Sequence, residues 1–228
     1  MNKLQRLKEQ IQSLPAKKSR LNLVGVLQRY NVQTSETLEI VRQTRQNVEQ
    51  VSTVFPNLDL QTTVTEKINS VARTAQSLRK TLEKIENIQT KKADDNFQLL
   101  NNTARTARNN LRDKWSSTLK ERIETYDKLV KASSSANLRG SSSLAEKLER
   151  LRGQTDILPK TEDAALKVKS DLDGINTSFQ DLGLEGKIGD FLIAAAAGRA
   201  NAKILLDNDV REFIDQNQLW SALSVKIE

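Results

Sequence analysis

The chain has 228 residues, of which 29% are charged and 4% aromatic, so its core is expected to be thin and aliphatic. Eight glycines and three prolines are too few for the turns of a β-sandwich or a loop-rich enzyme, which leaves an all-α fold. No cysteine or histidine is present, which excludes disulfides, thiolate chemistry, most zinc sites and imidazole catalysis; the net charge of +7 is unevenly spread, with 29 Lys/Arg against 17 Asp/Glu over residues 1–160 and 7 against 12 beyond.

At the N-terminus Leu4, Leu7, Ile11 and Leu14 recur at steps of three and four, which predicts an amphipathic helix over residues 2–14, ended by Pro15. Met1 to Lys8 starts positive but lacks the apolar stretch of a signal peptide, and the expected location is the cytoplasm. Leu21 to Tyr30 reads as a second short helix, weakened by Gly25. A third helix is predicted from a cap at Thr34 or Ser35 to about Thr53, with Leu38, Val41, Thr44 or Arg45, Val48 and Val51 as its face.

Between Pro56 and Gly140 lie 83 residues without glycine or proline. They predict one long central helix over residues 59–132 capped by Asp59, roughly 110 Å at ~1.5 Å per residue, and hence an elongated molecule. Within it Val64, Ile68, Val71, Ala75, Leu78, Leu82 and Ile85 alternate steps of four and three, a coiled-coil seam. The polar patch around residues 91–96 is where the helix can break or turn back on itself. Beyond it the apolar set resumes from Phe97 through Trp115 and Tyr126 to Val130 in a drifting phase that relaxes a supercoil.

The serine-rich stretch 133–143 is expected to be a flexible hinge. After it, Ser143 to Arg152 predicts a short helix ended by Gly153. Thr161 caps another, whose Ala165, Val168, Leu172, Ile175, Phe179 and Leu182 form a second seam interrupted by Gly174. The small residues of Phe191 to Gly198 suit a close helix crossing, Asp207 to Asp209 can cap a further helix, and apolar residues up to Ile227 suggest a docked tail. The domain organisation is thus residues 1–58, 59–132, 133–143 and 144–228, the last acidic from 161.

No catalytic pattern withstands inspection. Ser77-Leu78-Arg79-Lys80 and Ser117-Thr118-Leu119-Lys120 match the Ser-x-x-Lys spacing of acylating enzymes but fall mid-helix without companion motifs. Asp171 to Asn176 lacks the glycine position and distal glutamate of a calcium loop, and Gly186 to Gly189 lacks the Lys-Ser/Thr pair of a phosphate loop. The chain is therefore read as non-enzymatic, with no cofactor and no metal. Its expected function is that of a scaffold or accessory subunit, for example in a bacterial multi-subunit machine, joining a protein partner or a second copy through coiled-coil and bundle surfaces. The interaction seam comprises Val64, Ile68, Val71, Leu78, Leu82, Ile85, Leu172, Ile175, Phe179 and Leu182.

An alternative partner is nucleic acid, contacted by Arg73, Arg79, Lys80, Lys91, Lys92, Arg105, Arg108 and Arg112 of the central helix. Against it stand interspersed carboxylates and a scarcity of aromatics for base stacking. A lesser alternative is a membrane surface met in the manner of curved BAR-type helical dimers, a comparison of size and class only. Membrane spanning is not expected, because the longest apolar run, Phe191 to Ala197, is far below ~20 residues.

Overall fold

The computed structural model describes Glu9 and residues 17–60, 64–83, 91–138 and 140–221, and among these it is all-α, with seven α-helices and two short 3-10 helices. The predicted helix over residues 2–14, Ile85 and the apolar tail beyond Ser221 lie outside the described residues. The chain divides into two compact units, Met1–Asp113 and Lys114–Glu228. The division between them falls within the helix Lys91–Ser135.

In the first unit, α1 (Lys17–Val54) is one helix where two were expected. Thr34 is not a cap: its hydroxyl donates to the Tyr30 carbonyl at 2.7 Å, one turn back. Thr37 and Thr44 donate likewise to Gln33 and Ile40, at 2.8 and 2.7 Å. This back-bonding satisfies a hydroxyl inside a helix and lets both threonines be buried. Leu23, Tyr30, Thr37, Thr44 and Val51 are buried at intervals of seven residues, whereas the expected face residue Leu38 is 64% exposed and Arg45 points outward.

The long central helix is also corrected. Asp59 lies in the non-helical connection after α1, and α2 (Glu66–Thr81) begins behind Thr65, whose side chain makes no capping bond. It ends where the Leu82 N–H bonds the Leu78 carbonyl and the Glu83 N–H the Lys80 carbonyl, and α3 (Lys91–Ser135) follows as a separate helix of 45 residues. Residues 91–96, the alternative break point within the expected rod, form the first turns of α3, with Asp94 near its positive end. The physical reason is burial. Val71 and Leu78 of α2 share one core with Ala93, Phe97, Leu100 and Ala104 of α3 and Leu23 and Tyr30 of α1. The absence of glycine and proline permits a single rod, but a rod exposes stripes that two separate helices can cover.

The second unit is built on the remainder of α3, whose Trp115, Leu119, Ile123, Tyr126 and Val130 are buried. Within the serine-rich stretch, α3 closes in a tight turn. Asn137 takes φ +52° and the Leu138 and Asn137 N–H groups bond Ser133 and Ser134 carbonyls, a Schellman stop with asparagine in place of glycine. Ala132, Ser133 and Leu138 are buried there, and α4 (Ser141–Arg152) starts two residues before the expected cap.

Next comes α5 (Glu162–Asp181), capped as predicted by the Thr161 hydroxyl, which accepts from the Ala164 N–H at 3.2 Å. The Trp115 indole donates to the Gln154 carbonyl at 3.0 Å and the Tyr126 hydroxyl to Asn176 at 2.8 Å, so the two largest side chains of this part of α3 are each fixed by a polar tip. Gly174 is tolerated inside α5, and the Lys147 ammonium of α4 donates to its carbonyl at 3.1 Å. The close approach expected of the alanine run occurs instead at Gly189 of α6 (Gly186–Ala196): a Cβ there would stand 2.4 Å from the Leu184 carbonyl oxygen and 3.0 Å from a Leu129 methyl. Ala196 and Ala197 are exposed. The last helix, α7 (Asn208–Gln216), is capped by Asp207, whose carboxylate accepts from the Asp209 N–H.

Candidate functional site

The seam residues face inward. Val64, Ile68, Val71 and Leu78 are buried in the first unit and Leu82 is half-buried against its core, while Ala75 is exposed. Leu172, Ile175 and Phe179 are buried in the second unit, Phe179 with its ring 5.7 Å from that of Tyr126. The chain's own helices therefore cover these apolar positions.

The eight basic residues are all exposed, and none makes an ion pair among the described residues. They are not one continuous set. Arg73, Arg79 and Lys80 belong to α2, and Lys91 and Lys92 to the first turn of α3. Arg105, Arg108 and Arg112 recur at steps of three and four, which places them in a row on one face of α3 spanning ~10.5 Å. Arg105 is oriented by a 2.9 Å bond from its Nε to Asn101. Cations on neighbouring positions are compensated instead: Arg29 bonds Asp94 at 2.7 Å, and Asp94 also accepts from the Tyr30 hydroxyl at 2.8 Å. Burial, aided by Asp94, raises the Tyr30 pKa above its ordinary value, and the Tyr30 ring stacks on Phe97 at 4.0 Å.

The second unit carries a groove of about 600 Å3 between the end of α5, the start of α6 and α7. Its position follows from a Schellman turn: Gly183 at φ +64° lets the Leu184 N–H reach the Phe179 carbonyl at 2.8 Å, and brings the chain against the Phe213 ring. Leu182, Ile188 and Phe213 supply its apolar surface. Asp181, Asp209 and Glu212 are its carboxylates, all exposed and none in an ion pair among the described residues. Nor do they converge on a metal-holding arrangement. The nearby Lys187 ammonium bonds Asp207 at 2.7 Å, which holds the Asp207 carboxyl below and the lysine above their ordinary values, with Asp209 adding a weaker pull on the lysine.

Seam periodicity does not reveal this groove, because only Leu182 belongs to both. The signal was present in α7, where Asp209, Glu212 and Gln216 recur at steps of three and four on one face. No described helix is long and apolar enough to cross a membrane. No protein-family model, curated protein or solved structure matches the chain.

Proposed function

We propose that the protein is a non-enzymatic scaffold or accessory subunit of the cytoplasm that acts by binding other macromolecules through the outer faces of its helices. The observation that carries this reading is the combination of internally covered seams with exposed charge that makes no ion pair among the described residues: the arginine row of α3 in one unit and the acid-rimmed groove in the other. A helical body that presents such exposed charge is suited to steering and holding a partner of opposite sign. The test is chemical cross-linking of the native chain in its source extract, with the linked positions mapped. Partner cross-links concentrated on these faces support the reading; recovery of the chain linked to nothing would overturn it.

A second reading, nucleic-acid binding, is favoured by the same arginine row, because guanidinium groups on one face can meet successive phosphates. A gel-shift titration at two salt concentrations separates it. A shift that weakens with salt and with Arg108→Gln/Arg112→Gln supports this reading, and no shift at low salt removes it.

A further inference from the structure

We infer that the acid-rimmed groove of the second unit receives the arginine row of a second copy of this chain. The inference rests on the interaction reading above and names the partner. Both halves of the contact are found in every copy, and they match in sign and in spacing. Along α7, Asp209, Glu212 and Gln216 stand at steps of three and four. Along α3, Arg105, Arg108 and Arg112 stand at the same steps. Each row spans ~10.5 Å on one helix face, so side chains of the two rows can meet pairwise along two helical turns.

The chemistry of the groove suits arginine in particular. Carboxylates pair with guanidinium in charge-assisted bonds, and Asp181 at the end of α5 adds a third. Gln216 donates its amide N–H to Glu212 at 3.0 Å, which leaves its amide oxygen to accept from the remaining arginine. The apolar surface of Leu182 and Ile188, with the edge of Phe213, accommodates the methylene stems of arginine. Because the two surfaces differ, the contact is heterologous and joins copies head to tail.

Sedimentation velocity over a concentration series, at about 0.1 M and about 1 M salt, tests this. The Debye lengths there are ~10 and ~3 Å. The native chain is expected to grow in mass with concentration at the lower salt and to revert to monomer at the higher. The exposed double substitutions Asp209→Asn/Glu212→Gln and Arg108→Gln/Arg112→Gln should each weaken association on the order of a hundredfold, the loss of two charge-assisted interface pairs. Their helical circular dichroism should be unchanged. An equimolar mixture of the two variants keeps one intact contact and should stop at a one-to-one dimer.

A native chain that stays monomeric at low salt, a variant that still assembles, or a mixture that fails to pair would each overturn the inference. Assembly only after addition of an oligonucleotide would overturn it in favour of nucleic acid as the occupant of the row. A monomeric chain that still cross-links to other proteins in extract would sink self-association and leave the interaction reading intact.

Discussion

At the scale of single residues, space and charge compensation decide what each position tolerates. Gly189 has no room for a methyl group, since the Leu184 carbonyl oxygen and a Leu129 methyl already occupy it. Gly189→Ala is therefore expected to cost about 1–3 kcal/mol through overpacking, read as a lowered midpoint in thermal or denaturant unfolding. An unchanged midpoint would refute the close crossing. Asp127 on α3 is bonded by Lys131 and, across to α4, by Arg152. The bond from Lys131, then the charges of Lys131 and Arg152, lower its pKa. A depressed carboxyl pKa stabilises the fold above the unfolded value near ~3.9 and ceases to do so as pH falls through the folded value. The stability of Asp127→Asn should thus lack the part of the acid-dependent loss shown by the native chain below about pH 4; identical pH profiles would show that the carboxylate contributes nothing.

Helical elements show most clearly how far periodicity can be trusted. The α5 seam is legible because its buried positions are Val, Leu, Ile and Phe, and its Thr161 cap and Gly183 stop frame it. The α1 repeat is hidden because two of its five heptad positions are threonines, polar residues that interrupt an apolar pattern until their hydroxyls are seen to bond one turn back. The α2 seam is only partly what its spacing suggests, because Ala75 faces solvent while Leu78 is buried among side chains of α1 and α3. Leu78→Ala should cost about 2–5 kcal/mol, measured by denaturant unfolding. If α2 were instead a free seam awaiting a partner, that cost would be absent from the isolated chain. The arginine row makes its own prediction: should nucleic acid bind there, removing Arg108 and Arg112 should lower the salt slope of log K by about 2, at ~0.9 per phosphate contact.

At the scale of the whole molecule, each unit has a core of its own, and the two differ in charge. Residues 1–113 carry 19 Lys/Arg against 11 Asp/Glu, and residues 114–228 carry 17 against 18. Leu78→Glu puts a charge into the first core, and hydrogen exchange should show lost protection through α1 and α2 while amides near Ile175 and Phe179 remain protected. Loss of protection throughout would mean that the chain unfolds as a single unit. The sequence by itself determined the all-α class, the buried face of α5 and the cap at Thr161, because helix periodicity, capping and turn stereochemistry act over a few neighbouring residues. Only the tertiary structure decided that α2 and α3 are separate helices, that α3 closes in a turn at Asn137, and that Asp209, Glu212 and Phe213 join Asp181 around one groove. Those outcomes depend on which stripes bury one another across long sequence separations, and local propensity carries no information about that choice.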